Sequence, residues 1–449
     1  LKNEPPARGG FFGGGELMNQ REKIEIFKTI LKRLHQGESI ETLKKEFGEI
    51  IASLPPFEIP AIEQELLKEG EITVRDIVKM CDLHVELFRG TVSGAGREIE
   101  KLPLGHPLRN LYEENKQILK DSEVLSLLAS SVFSSESNEG KGEFLKELKE
   151  LLKQMRNIGF THYTREEMLI FPYLERRGIT AVPTVLWSKH DEIRLKVKMV
   201  LDLLESQETN RNLKGELFEL ARMVADMVFR ENNILYPTLK VLLSEGEWAA
   251  IKMFEKEIGY YKIDPKDEWK TSEKPLLPFE IDPRVSGETF EKMPDEVKRV
   301  VGELKPDTYQ IRKEEDYDLQ TGFLSKEELM ALFKTLPLDV TFIDRNDRVK
   351  FFSHGLRIFH RAPTVIGRPV QFCHPPRSVH IVNKILQSFK EGRKDVAEFW
   401  INLADRLIHI RYFPVRNEKG EYLGTIEVVQ DVTGIKKLEG EKRLLDWKD

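Results

Sequence analysis

Cysteine is almost missing from this chain: there are two in 449 residues, Cys81 and Cys373, far apart. That excludes a disulfide framework and makes a reducing cytosol the natural setting. Long apolar runs are missing too; none approaches the roughly 18 residues a membrane-spanning helix needs. Nor is there an excess of positive charge. Lys and Arg number 70 against 76 Asp and Glu, a net charge of −6, which argues against a nucleic-acid binder. What the chain does have is charge of both signs, 33% of residues, beside 40% hydrophobic residues, ample for ordinary cores. This length implies two or three domains.

Residues 1–17 are rich in Gly and Pro and show no periodicity. Gly13-Gly14-Gly15-Glu16 precedes Met18 as a ribosome-binding stretch read as protein would, so Met18 is the expected start and residues 1–19 a disordered or mis-annotated terminus. Residues 20–92 read as a small helical domain. Its last helix, opened by Thr73, carries Cys81 and His84 on one face. These form either a core pair or, for His84, an extra metal ligand.

Four long helical patterns follow over residues 95–250. His106-Pro107 opens the first, and Glu113 is expected near the face of His106. The second runs from about Glu143 to Arg177 and carries His162, Glu166 and Glu167, with a kink or break expected at Pro172. His162 and Glu166, four residues apart, share a helical face and can grip one metal ion. The third begins at Pro183 and holds His190; the fourth, from about Leu213 to Leu243, leads to Glu231. Glu166 and Glu231 each precede an apolar run and an aromatic-Pro pair, Phe171-Pro172 and Tyr236-Pro237. Short loops between long helices predict an antiparallel bundle, and inward His and Glu on facing helices are how bundles build di-iron sites. Nitrogen and carboxylate donors without thiolate suit iron, manganese or zinc.

These residues resemble the hemerythrin-like HHE cation-binding domain, and residues 20–88 resemble the small helical domain of unknown function that often precedes it in anaerobic bacteria. The resemblance implies a non-haem di-iron centre that meets dioxygen, nitric oxide or peroxide. It implies His106, His162, Glu166 (bridging), His190 and Glu231 as ligands, with His84 and Glu113 or Glu167 filling in. Two departures stand out: Met227 occupies the place of the fourth helix's histidine, and Arg194 stands where a second third-helix histidine is common.

Residues 255–322, with six prolines from Pro265 to Pro306, read as a linker that wraps a neighbouring domain or sets a spacing. Ser325-Lys326-Glu327-Glu328 is a capping box opening a helix to Leu336. The pattern then switches to period two: strands over 340–344 and 348–352 flank a turn, a helix over 377–390 follows, and three strands cover 397–403, 407–415 and 422–430. This is an α+β domain with a five-stranded antiparallel sheet. With Asp431-Val432-Thr433 at its end, residues 325–435 resemble a PAS domain, leaving a charged tail at 436–449. The resemblance implies a small-ligand cavity or a dimerisation module. His354, His360, Cys373, His374, His380 and His409 raise haem or a metal as its ligand, against surface histidines as the plain alternative.

The expected fold is therefore multidomain: an all-α N-terminal region with a four-helix bundle, then the α+β domain. The expected function is a cytoplasmic sensor or binder of dioxygen, nitric oxide or redox state. Any output would pass through a partner protein or a homodimer, because no kinase, cyclase or DNA-binding segment follows residue 435. The alternatives are a di-iron oxidoreductase or iron-centre repair factor, and a metal-free signalling scaffold.

Overall fold

The computed structural model describes residues 25, 26, 29, 30, 33, 38–52, 95–134, 138–205, 213–284, 305–443, 445 and 446. The expectations for residues 1–19 and for the helix bearing Cys81 and His84 lie outside the described residues. The chain divides into two compact units, Leu1–Tyr309 and Gln310–Asp449.

In the first unit, helix α1 (Ile40–Ala52) and the short α2 (Ala95–Glu100) precede the bundle. Helix α3 spans Pro107–Ser134. Its buried stripe is Leu108, Leu111, Asn115, Ile118, Ser122, Leu125 and Ala129. The alternating spacing of three and four keeps one face turned to the core. Each fully buried Leu or Ile contributes about 1.5–3 kcal/mol. Helix α4 spans Asn138–Phe160, starting five residues before the Glu143 expected from the sequence. Helix α7 (Ala181–Glu205) carries Leu186, His190, Ile193, Val197, Val200 and Leu204 on its buried stripe. Helix α8 (Leu213–Arg230) carries Leu213, Leu217, Leu220, Val224 and Met227. Helix α3 packs on α4 and α8, and α7 packs on the same two, which closes a four-helix bundle.

The second and fourth helices are not continuous α-helices. After Thr161 the chain forms α5 (His162–Arg165), a π-turn (Glu166–Ile170) and α6 (Phe171–Arg176). After α8 comes a second π-turn (Glu231–Leu235) and then α9 (Tyr236–Leu242). Both follow from proline. Pro172 and Pro237 offer no N–H to the preceding turn, and their rings would crowd a regular helical carbonyl. The chain takes in an extra residue instead: Phe171 N–H donates to the Glu166 carbonyl and Tyr236 N–H to the Glu231 carbonyl, each five residues back. The kink expected at Pro172 is thus a π-turn beginning at the metal-binding candidate.

Helix α10 (Glu245–Ile258) starts with a Ser244–Glu247 capping box and packs across the bundle. The expected linker then proves in large part to belong to this unit. Tyr261, Trp269 and Ile281 are buried. Tyr261 donates its hydroxyl to Asp121 at 2.6 Å, Trp269 N–H bonds the Leu104 carbonyl at 2.9 Å, and Tyr173 donates to the Leu276 carbonyl at 2.8 Å. Residues 259–284 form a strap over the bundle because their aromatic side chains gain more from burial than a solvated spacer would. Gly178 fits beneath a returning segment. Its φ is +82°, and a Cβ there would lie 2.5 Å from the Lys305 carbonyl oxygen.

The second unit opens with a two-residue pair, β1 (Tyr317–Asp318) and β2 (Phe323–Leu324). Helix α11 (Lys326–Thr335) has the expected capping box, Ser325 with Glu328. Strands β3 (Asp339–Asp344), β4 (Val349–Phe352), β5 (Ala397–Leu403), β6 (Arg406–Arg416) and β7 (Tyr422–Asp431) make an antiparallel sheet of order β4-β3-β7-β6-β5. Helix α12 (Val379–Lys390) lies against β6 and β7. A cavity of about 240 Å³ lies between α12 and the sheet, with Ile343, Leu386 and Ile410 among its apolar lining.

Candidate metal centre

The buried stripes of the bundle change character at one level. His162, Glu166, His190 and Glu231 occupy core positions there, and each is fully buried. Glu166 sets Oε1 3.7 Å from His162 Nε2 and Oε2 3.6 Å from His190 Nε2. Glu231 sets Oε2 3.4 Å from His162 Nε2 and Oε1 3.7 Å from His190 Nε2. Metal bonds of about 2.0–2.2 Å put neighbouring donors roughly 3–3.5 Å apart. Glu166 Oε2, both Glu231 carboxylate oxygens and His190 Nε2 have no hydrogen-bond partner among the described residues. Buried polar atoms are rarely left so. Converging on one another, they fit a cation. Among the described residues, His162, Glu166 and Glu231 form the group of acidic and imidazole donors close enough to share an ion.

The far side of each histidine is fixed. His162 Nδ1 donates to Glu114 at 2.8 Å, and His190 Nδ1 donates to Glu167 at 2.8 Å. A carboxylate on Nδ1 leaves the Nε2 lone pair facing the centre and makes it a better donor. The carboxylates are held in turn. Arg165 bonds Glu114 and reaches Glu255 at 2.9 Å, while Tyr261 N–H also bonds Glu114. Arg194 grips both oxygens of Glu167 at 2.8 Å and lies against Gly159, where an added Cβ would come within 2.9 Å of its Cγ. Tyr236 donates to Glu166 at 3.0 Å and is itself supported by Asn115 at 3.1 Å.

Burial disfavours charge on all four central groups. In His162 the Glu114 and Glu231 carboxylates outweigh it and hold the imidazole up at about 10. Burial and the Glu231 charge push Glu166 up to about 8. Burial would raise Glu231, but His162 and His190 hold it below its ordinary value. Without a cation His162 and Glu166 keep protons at neutral pH, and a metal would have to displace them.

The structure does not bring His106 to this group. His106 caps α3, its Nδ1 accepting from Leu108 N–H at 3.1 Å. Its ring packs against Trp248 and Trp269, with centroids 5.1 and 4.8 Å away. Burial lowers its pKa to about 4, so it sits there neutral. Glu113 turns away as well, pairing with Lys116 at 3.2 Å, and its neighbour Glu114 reaches inward instead. The helix explains this: at about 100° per residue, Glu114 lies about 60° from Leu111 and Glu113 about 160°. Glu167 holds a histidine rather than joining the converging donors. Met227 is buried in the core and supplies no imidazole. Sequence reasoning missed Glu114, Asn115, Tyr163 and Tyr236 as site residues, although Tyr163 and Tyr236 stand inside the two motifs.

In the second unit, His374 lines the cavity with Arg361, Tyr412 and Glu427. Tyr412 donates to Glu427 at 2.8 Å and Arg361 pairs with it at 2.9 Å. His354, His360 and His380 are exposed, and His409 pairs with Glu398. The free Cys373 is half-buried. No metal-holding group forms from these residues.

Residues 106–239 match the hemerythrin HHE cation binding domain, residues 27–94 match a family of unknown function known as DUF438, and residues 329–433 match a PAS domain. No curated protein matches the chain. Similar solved structures include a C-terminal domain from Streptococcus mutans, 27% identical, covering 28% of this chain and 97% of that one with a TM-score of 0.27. Another is the PAS domain of a protein from Colwellia psychrerythraea, 18% identical, covering 24% of this chain and 97% of that one with a TM-score of 0.20. A third is a sensory box sensor histidine kinase from Vibrio cholerae, 13% identical, covering 23% of this chain and 89% of that one with a TM-score of 0.19. Among the described residues, no helix is long and apolar enough to cross a membrane. The chain thus combines a DUF438 segment, a hemerythrin HHE cation-binding domain built as a four-helix bundle, and a PAS domain with a five-stranded antiparallel sheet.

Proposed function

We propose that the bundle holds a non-haem di-iron centre on His162, Glu166, His190 and Glu231, and that the protein is a cytoplasmic sensor of dioxygen, nitric oxide or redox state. The observation that carries this reading is the set of converging buried donor atoms at the centre that have no hydrogen-bond partner among the described residues. Two imidazoles and two carboxylates are a donor set that iron accepts. Each carboxylate spans both histidines, which suits two ions better than one. Iron, when bound, supplies the affinity for diatomic ligands and the change of oxidation state.

The chain's own residues do the rest. Glu114 and Glu167 hold the imidazoles in the donor tautomer. Arg165 and Arg194 hold those carboxylates in place. Tyr236 orients Glu166, and the surrounding core excludes bulk water. The PAS domain serves as the sensory or dimerisation module through which the signal reaches a partner protein.

The test is iron content and the absorption spectrum of protein purified without air, then exposed to it. About two irons per chain are expected, with near-ultraviolet absorption that changes on exposure. His162→Ala should lose both. Retained zinc, or no metal, would sink the reading.

A further inference from the structure

Tyr163 carries an inference that rests on the proposed centre and goes beyond it. The side chain is fully buried, 1% exposed, and its hydroxyl has no hydrogen-bond partner among the described residues. Its ring stacks on the His190 imidazole, with centroids 4.0 Å apart and planes 5° from parallel. It meets the His162 ring edge-on at 5.8 Å. The ring therefore flanks both imidazoles at once.

A phenol hydroxyl left unsatisfied when buried is destabilising. Phenylalanine would fill the same space without that cost. Tyr236, the other tyrosine of the centre, differs: its hydroxyl is committed to Glu166 at 3.0 Å. Tyr163 also borders a groove between α4 and α7 of about 560 Å³, walled by Met155, Ile158, Ile193, Val197 and the Arg194 side chain. Tyr163 is thus common to the wall of that groove and to the two imidazoles of the centre.

We propose that Tyr163 is the hydrogen-bond donor to the exogenous ligand of the centre, a small molecule or anion with an acceptor atom at its outer end. It is a specificity-determining residue: it favours ligands that gain negative charge at that end over those that do not. The α4–α7 groove is the route by which they arrive.

The experiment uses the full chain, iron-loaded, with azide as the probe anion and absorption as the readout of binding. Iron content is measured first. Tyr163→Phe keeps the ring and its stacking, so iron content should match the wild type while azide binds about tenfold more weakly, the usual effect of losing one such donor. Should the phenylalanine variant fail to hold iron, 3-fluorotyrosine at position 163 keeps the ring and makes a stronger donor, and it should tighten azide binding. Iron-loaded protein with the same azide affinity in either variant as in the wild type would overturn the inference alone. A wild-type chain that holds no iron would overturn the metal reading and the inference together.

Discussion

Glu166 and Glu231 share their partners reciprocally: each places one carboxylate oxygen beside His162 Nε2 and the other beside His190 Nε2, all within 3.4–3.7 Å. Each also opens a π-turn that ends two residues before a proline. Glu166→Ala and Glu231→Ala should therefore be equivalent in effect. Each is expected to abolish tight metal binding, read as metal retained after dialysis, whereas Glu113→Ala on the outer face should retain it. Retention by either inner variant would show that the second carboxylate suffices.

Glu167 acts through His190. Glu167→Gln removes the charge that fixes the ring and leaves Arg194 without its main partner. Loss of such a partner typically lowers metal affinity roughly 10- to 100-fold. A competition titration against a chelator measures it, and an unchanged affinity would mean that His190 is held by packing on Tyr163 alone.

The π-turns set the direction of the Glu166 and Glu231 side chains. Pro172→Ala restores an N–H and removes the crowding that makes a regular turn costly. We expect the helical circular dichroism to be unchanged while metal content falls, because Glu166 would turn away from Glu231. Full metal occupancy in this variant would show that tertiary contacts, not proline, maintain the turn.

The strap contributes to stability at a distance from the candidate metal centre. The Trp269 ring is buried against His106, while its backbone N–H, which alanine would keep, bonds the Leu104 carbonyl. Trp269→Ala should cost about 3–5 kcal/mol of unfolding free energy, measured by denaturant titration. A loss below about 1 kcal/mol, the range of an exposed side chain, would mean that residues 259–284 dock only loosely.

His106 makes the first unit sensitive to acid. Its folded pKa, about 4, lies below the ordinary 6.5 because burial and the nearby Lys252 charge disfavour the imidazolium. Between those values the unfolded chain binds the proton and the folded one does not. The stability from this group is therefore complete above about pH 6.5 and is lost as pH falls to about 4. The full effect is on the order of 3 kcal/mol. His106→Asn keeps a capping acceptor without a titrating ring and should flatten the pH dependence of the midpoint in this window.

Much of this was legible in the chain itself. The stripes at spacings of three and four announced the bundle, and His162, Glu166, His190 and Glu231 fall on those stripes, where a polar residue needs a reason. The switch to period two announced the sheet, and its strand boundaries fall within a residue or two of those expected. The reading of His106 did not carry through, because the residue pairs with Trp248 and Trp269, more than 140 positions away, and nothing local signals that contact.

The sequence by itself determined where the helices run, where they loosen, and which side chains share a face, since periodicity, caps and proline act over a few residues. Only the tertiary structure decided that Arg194 serves Glu167 in place of adding a ligand, that Glu114 supports His162, and that residues 259–284 close over the bundle. Those outcomes depend on which faces meet across helices distant in sequence, and buried charges accept only partners that packing brings within hydrogen-bond reach.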